Sequence, residues 1–197
     1  MRGNGIRGIA VFGLLIMAMF AMAAPAQALQ DLTITDNNLK GLMWWTTWTP
    51  YGSDGGDLAV WPGSFETYGA SKTLLYIGSI RAIKIGDGEC VAFAKAMSNT
   101  NNIASSNWRR GINVMSTTTY IPRGTLVATF FGSNGGYSGH VAIFGGYIYD
   151  LSGNRNGIFV WDQNYLPNHG NVVARHFIRT SGTGVNNANN YYVVQVP

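Results

Sequence analysis

The sequence predicts an α+β domain in which one helix is followed by about five antiparallel strands. Residues 90–98 are rich in alanine and have the composition of a short, buried helix. After Pro122 the chain consists of apolar runs with strand composition, separated by turns rich in Gly and Asn. These connections are short, which favours antiparallel neighbours, because parallel strands need a crossover of a dozen or more residues.

The composition fits a folded domain and excludes several classes of protein. The chain has 197 residues, 46% hydrophobic and 11% charged, so it lacks the polarity of a disordered chain. A single cysteine, Cys90, excludes an intramolecular disulfide framework and a Cys-rich zinc site. Basic residues do not cluster beyond Arg109 and Arg110, which argues against a nucleic-acid partner. We expect no cofactor and no metal.

Residues 1–28 have the layout of a secretory signal peptide. Arg2 and Arg7 precede a 14-residue apolar run at 9–22, and Ala26 and Ala28 occupy the −3 and −1 positions for cleavage after Ala28. The run is shorter than the roughly 20 residues of a membrane-spanning helix, the alternative interpretation. We therefore expect a secreted or periplasmic protein without a stable membrane span after processing. Loss of the two arginines lowers its net charge from +4 to +2.

Residues 29–75 form a lead-in segment rich in tryptophan and glycine. Four of the six tryptophans lie here, namely Trp44, Trp45, Trp48 and Trp61. Residues 29–70 have no helical or alternating hydrophobic period. The indoles either pack onto the domain or form a platform that stacks on sugar rings. We favour packing, because stacking requires exposure.

The main domain is predicted to span residues 76–197. Residues 71–85 lead into it, and Gly86 to Glu89 is a turn signal before the helix, which ends at Asn99. The predicted strands are 124–131, 140–149, 157–163, 172–178 and 191–196.

Cys90 lies where a thiol is chemically useful. A helix that begins at Glu89 or Cys90 places the thiol at its N-terminus, where unpaired N–H groups and the helix dipole stabilise an anion. Thiols in such positions have pKa values of about 3.5–7.5, and the same N–H groups can hold an oxyanion. The alternative is a buried structural cysteine, because a free cysteine also behaves as a small apolar residue.

His140 favours the chemical interpretation. It follows Gly139 and opens a predicted strand, so its side chain should lie at the edge of the sheet. A base there can meet a nucleophile at a helix N-terminus, and Cys–His pairing activates a thiolate. The other two histidines are weaker candidates, because His176 lies inside a strand and His169 lies in a turn.

A third polar group should orient the His140 ring through its second nitrogen. A hairpin of residues 140–149 with 157–163 places His140 opposite residues 162–166. Alternation along the strand puts Asp162 and Asn164 on one face and Gln163 on the other. Asp162 or Asn164 could orient the ring, although polar residues at a strand end are also common without a function.

These blocks together resemble a known family. They are GECVAFAK (88–95), Trp108 with Gly111, GTLVATF (124–130), GHVAIF (139–144) and VWDQNY (160–165). Their order resembles the CHAP amidases of the papain-like, NlpC-type superfamily of bacterial cell-wall hydrolases, over about residues 86–178.

The resemblance implies a papain-like fold and a CHAP-like catalytic domain at residues 76–197. It implies Cys90 as nucleophile, His140 as base, and Asp162 and Asn164 as orienting residues. The implied reaction is hydrolysis of peptide or amide bonds in peptidoglycan or muropeptides. CHAP proteins commonly carry Glu at the position of Asp162, so Asn164 is kept as an alternative main orienter.

The substrate groove has three candidate wall residues, Trp108, Tyr120 and Trp161. Large aromatic residues are more often buried, so each of them is also a candidate for the core.

Two other functions remain as alternatives. A protein of this fold could bind the cell wall or glycans without catalysis, through the tryptophans of the lead-in segment. The chain also resembles the papain-like amidase effectors that bacteria deliver to rivals. Those effectors imply an immunity protein as partner and usually lack a secretion signal.

Overall fold

The computed structural model describes residues 28–51, 56–165 and 170–197. The predicted signal peptide lies outside this part of the chain except for Ala28, and His169 lies outside it as well. In the described part, no helix is long and apolar enough to span a membrane.

The described structure contains two short α-helices, a π-helical turn, four short 3₁₀ helices and eleven strands. Helix α1 (Asp36–Lys40) continues into a π-helical turn (Gly41–Trp45), and helix α2 is Cys90–Ser98. The strands are β1 (Gln30–Asp31), β2 (Trp48–Tyr51), β3 (Gly56–Ala59), β4 (Lys72–Ile77), β5 (Ile80–Ile85), β6 (Arg109–Asn113), β7 (Leu126–Ala128), β8 (Val141–Tyr149), β9 (Arg155–Gln163), β10 (Val173–Arg179) and β11 (Tyr192–Val196).

Nine of the described strands form one antiparallel sheet. Its order is β1-β11-β7-β8-β9-β10-β3-β2, with β6 also paired to β11, while β4 and β5 form a separate hairpin. The prediction of an α+β domain dominated by an antiparallel sheet is confirmed, and the five predicted strands correspond to β7 to β11. The sheet is larger than predicted, because the lead-in segment supplies β1, β2 and β3 and a further strand, β6, precedes Pro122.

The lead-in segment is built into both edges of the sheet. β1 pairs with β11 at one end, and β3 pairs with β10 at the other. Leu32, Ile34 and Leu42 of this segment belong to the main buried core. The sequence of this segment shows no hydrophobic periodicity because β1, β2 and β3 have only two to four residues each. Such short strands contain too few residues for alternation of apolar and polar side chains to be recognised.

The tryptophans of the lead-in segment divide into two pairs. Trp48 and Trp61 pack against the main core, whereas Trp44 and Trp45 are 72% and 58% exposed. The expectation that the indoles pack on the domain is therefore wrong for Trp44 and Trp45. The π-helical turn that carries them buries its first two residues and leaves the indoles at the surface.

The sheet separates two apolar clusters, and α2 covers one of them. Side chains that follow one another along β8 lie on opposite faces. Ile143 belongs to the same buried cluster as Phe93 and Met97 of α2. Ala142 belongs to a second cluster that includes Tyr191. This packing holds α2 across the sheet with its first residue near the end of β9.

We expect Leu42→Ala to lower the free energy of unfolding by about 2–5 kcal/mol, because the truncation leaves a cavity in the main core. Leu151→Ala, at an exposed position in the β8–β9 turn, is the control and should change it by less than about 0.5 kcal/mol. Urea denaturation measures both values. Wild-type stability in Leu42→Ala would show that the lead-in segment does not contribute to the folded core.

Candidate active site

Cys90 is the first residue of α2, and a constrained turn sets its position. Gly88 in this turn has a φ of +100°, and a Cβ there would lie 2.5 Å from the Cβ of Asn171, so the position requires glycine. Glu89 is the extended residue that caps α2. The backbone N–H of Cys90 has no acceptor within the helix, and the thiol lies at the positive end of the helix dipole. The residue is 7% exposed.

Gln163 ties this turn to the sheet. Its buried Nε2 donates to the carbonyl oxygens of Ile85 and Glu89, each at 3.0 Å. Its Oε1 accepts from the N–H of Ile85 at 2.8 Å. These bonds fix the start of α2 relative to the end of β9. Gln163 does lie on the face opposite Asp162, and its role as an anchor could not be inferred from alternation.

His140 is locked in place just before β8. Its N–H donates to Oγ1 of Thr129, and its carbonyl accepts from the N–H of Thr129, both at 2.9 Å. Gly139 has a φ of +105°, and a Cβ there would lie 2.2 Å from Oγ1 of Thr129. The close approach that aims the His140 ring therefore requires glycine.

The register of β8 and β9 brings His140 and Asp162 together. Ile143 lies opposite Trp161, so Asp162 falls on the same face as His140, one diagonal away. Nε2 of His140 lies 2.8 Å from Oδ2 of Asp162. The predicted hairpin is confirmed. His140 lies near enough to Cys90 to lower the pKa of the thiol, and because Nε2 faces Asp162, Nδ1 is the ring nitrogen that remains for the thiol.

Asn164 does not join this group. Its Nδ2 donates to Oε2 of Glu89 at 2.9 Å, at an exposed site. β9 ends at Gln163, and Asn164 has a φ of +57°, so the alternation stops before it reaches this residue. The expectation that Asn164 contacts His140 is wrong. Asn164 instead joins the end of β9 to the residue that caps α2.

The three predicted wall residues do not form one surface around Cys90. Trp108 and Trp161 are buried in the main core. Tyr120 is 82% exposed and lines a cavity of about 330 Å³ with Tyr149 and Arg155, at the far end of the β8–β9 hairpin. The core alternative is therefore confirmed for Trp108 and Trp161, and Tyr120 lies away from the thiol.

Two tyrosines that were not among the predicted residues flank the site. Oη of Tyr137 lies 3.7 Å from Sγ of Cys90. The ring centroid of Tyr165 lies 5.1 Å from that of His140. Tyr137 lies two residues before the block 139–144, and Tyr165 is the last residue of the block 160–165; this proximity in sequence is the signal that could have identified them.

His176 reaches the same carboxylate as His140. Its Nε2 lies 2.7 Å from Oδ2 of Asp162, and its buried ring stacks on Tyr165 with centroids 4.1 Å apart. A position inside a strand thus places His176 on the face of the sheet that carries Asp162. Among the described residues, no group of three or more His, Cys, Asp or Glu side chains is arranged to hold a metal ion.

The electrostatics of the site favour an ion pair between Cys90 and His140. Burial raises the pKa of the Cys90 thiol, but His140, the N–H of Val141 and the hydroxyl of Tyr137 outweigh burial and lower that pKa. Burial lowers the pKa of His140, but contacts with Asp162 and Cys90 raise it to about 9. Burial likewise favours protonated Asp162, yet the two histidines hold its pKa below the usual range.

The chain matches proteins described as amidase effectors. The sequence profile of the family described as Domesticated amidase effector 2 (Dae2) matches residues 67–194. Domesticated amidase effector 2 of Ixodes scapularis is 36% identical over 118 residues, which cover 58% of this chain and 75% of that protein. The solved structure of Type 6 secretion amidase effector 2 (Tae2) matches with a TM-score of 0.43 and 27% identity, over 58% of this chain and 86% of the other. The CHAP-type, NlpC-type assignment stays a prediction.

We expect iodoacetamide to alkylate Cys90 at a pH below the pKa of about 8.5 of a free thiol, because His140 outweighs burial and lowers the pKa of Cys90. In His140→Ala the thiol stays buried without its partner, so its pKa should rise. The alkylation rate near neutral pH should then fall by about tenfold or more. Mass spectrometry across a pH series measures the rate, and Tyr120→Ala serves as a control. Identical pH profiles for wild type and His140→Ala would refute the pairing.

Proposed function

The chain belongs to the Domesticated amidase effector 2 family, whose profile matches residues 67–194, and we propose that it is a thiol-dependent amidase that hydrolyses amide or peptide bonds of peptidoglycan. The observation that carries the proposal is the buried His140–Asp162 pair beside Cys90, whose thiol pKa His140 lowers. A thiol with a lowered pKa, a paired imidazole and a carboxylate behind it are the parts of a cysteine nucleophile site.

In the first step the Cys90 thiolate attacks the carbonyl carbon of the scissile amide. The carbonyl oxygen becomes an oxyanion, and the free N–H of Cys90 at the start of α2 is placed to stabilise it. The amide hydrogens of Gln163 are both engaged with backbone carbonyls, so Gln163 supplies the position of the turn rather than a second donor.

The C–N bond then breaks as the imidazolium of His140 donates its proton to the amine leaving group, and a thioester on Cys90 remains. Neutral His140 next takes a proton from water, whose oxygen attacks the thioester; the C–S bond breaks, the carboxylic acid leaves, and the Cys90 thiolate is regenerated beside protonated His140. Asp162 stays ionised throughout, holds the His140 ring in one tautomer and stabilises its protonated form.

Three observations support the proposed substrate and location. The family name and the name of the Ixodes scapularis relative describe amidase effectors. The resemblance to cell-wall hydrolases points to peptidoglycan as the polymer. The signal-type sequence at residues 1–28 would export the enzyme to a periplasmic or extracellular site, where it meets that polymer. A producer with peptidoglycan of its own would require an immunity protein that covers the Cys90 site.

We expect Cys90→Ala to reduce hydrolysis of purified peptidoglycan by about 10³-fold or more, because the variant lacks the nucleophile. Mass spectrometry of the released muropeptides measures the rate and identifies the bond that is cleaved. Leu151→Ala is the matched control and should keep the wild-type rate. The proposal fails if Cys90→Ala cleaves as fast as the wild-type protein.

A second candidate function is wall binding without catalysis, and the exposure of Trp44 and Trp45 favours it. Two neighbouring exposed indoles offer flat apolar surface, which is uncommon on a protein surface that has no partner.

We expect Trp44→Ala and Trp45→Ala to weaken co-sedimentation with insoluble peptidoglycan, because each removes a stacking surface. Cys90→Ala should still co-sediment. Tyr76→Ala is the control, since Tyr76 is also exposed but lies on the β4–β5 hairpin. Undiminished co-sedimentation of both tryptophan variants would remove the second candidate.

A further inference from the structure

His176 lies on the other side of Asp162 from the catalytic pair. Its Nε2 contacts Oδ2 of Asp162 at 2.7 Å, and Nε2 of His140 contacts that same oxygen at 2.8 Å. All three side chains are buried. The second oxygen, Oδ1, has no hydrogen-bond partner in the described part of the chain. The hydrogen bonds that this carboxylate accepts therefore come from two histidines and converge on one atom.

This geometry determines where the protons are. An ionised carboxylate only accepts hydrogen bonds, so each Nε2 that contacts it must carry a hydrogen. In its neutral form His140 then has an unprotonated Nδ1, which is the atom that can receive the proton of Cys90. The tautomer that catalysis requires thus depends on Asp162 being charged and correctly placed.

We propose that His176 is a positioning residue, which donates from Nε2 to Asp162 and thereby holds that carboxylate, ionised, in the place from which it orients His140. This inference rests on the proposed thiol chemistry and adds His176 as a fourth side chain to the group of Cys90, His140 and Asp162. A buried carboxylate is costly unless it is paired and hydrogen-bonded. Without His176, a single imidazole would have to satisfy Asp162.

His176 is itself held rigidly, as a positioning residue must be. β10 pairs with β9 so that Ala174 lies opposite Asp162 and His176 opposite Val160. The ring of Tyr165 stacks on His176 with an interplanar angle of 24°. Because Tyr165 also contacts His140, one tyrosine restrains both imidazoles. The other edge of β10 is paired with β3.

The phenol groups around this cluster stay neutral. Tyr137, Tyr165 and Tyr191 interact with Asp162 or Cys90, and burial raises the pKa of each phenol. Glu89 faces Tyr137 at the exposed rim. Within the described residues, Asp162 is therefore the anion that faces His176.

The pH dependence of Cys90 alkylation tests the proposal without any substrate. His176→Leu removes the N–H donor, so Asp162 should hold His140 less firmly. The midpoint, which is the pH at which Cys90 alkylation reaches half its maximal rate, should then move up by about one pH unit. His176→Gln keeps an N–H donor and should keep the midpoint within about 0.3 unit of wild type. Phe177→Leu is the matched control, because Phe177 is the next residue of β10 and lies on the opposite face.

A wild-type midpoint in His176→Leu would overturn the positioning role, and so would equal shifts in His176→Leu and His176→Gln. If circular dichroism shows that His176→Leu does not fold, His176→Gln decides alone. A wild-type midpoint then supports donation, and an upward shift of about one unit or more overturns it.

Steady-state kinetics on muropeptides add a second readout. His176→Leu should lower kcat about tenfold or more at unchanged KM, because the substrate contacts are intact and the base is misplaced. Should the wild-type protein hydrolyse no peptidoglycan, the proposed function fails, while the alkylation midpoints still decide the role of His176.

Discussion

The buried carboxylate of Asp162 is the constraint on which the rest of the site depends. A charge that is removed from water must be hydrogen-bonded, and here both bonds come from imidazoles. That requirement fixes the tautomer of His140, leaves Nδ1 for Cys90 and accounts for the raised pKa of His140. It also requires a rigid sheet, because a small shift of β8 or β10 relative to β9 would separate the three side chains.

Three consecutive residues at the end of β9 connect the two halves of the site. Asp162 faces the histidines on one side of the sheet, and Gln163 faces the turn before α2 on the other. Asn164, just after the strand, donates a hydrogen bond to Glu89, the residue that caps α2. Cys90 and His140 therefore lie on different elements, but the same short segment at the end of β9 contacts both the His140 ring and the turn before Cys90. The lead-in segment supports this arrangement from outside, since β3 pairs with the strand that carries His176.

The features predicted correctly from the sequence depend on interactions between residues close together in the chain, and the features that were missed depend on residues far apart. The β8–β9 hairpin could be predicted because its register depends on a short connection and on alternation. That register brought Asp162 and Asn164 within reach of His140, and the structure pairs the ring with Asp162. Asn164 could not be placed, because a single positive φ ends the alternation. The lead-in strands β1 and β3 were missed because they are short and pair with strands more than one hundred residues away in sequence, as Gln30 does with Val196.

The sequence by itself determined the α+β class, the unpaired thiol before an alanine-rich run and the hairpin that joins His140 to Asp162. These depend on composition, local turns and strand alternation, which act over a few residues. Only the tertiary structure decided that His176 shares the carboxylate of Asp162, that Gln163 anchors the turn before Cys90, and that Trp108 and Trp161 are buried while Trp44 and Trp45 are exposed. Those outcomes depend on which distant segments pack together, and burial and long-range hydrogen bonding exist only once the sheet has assembled.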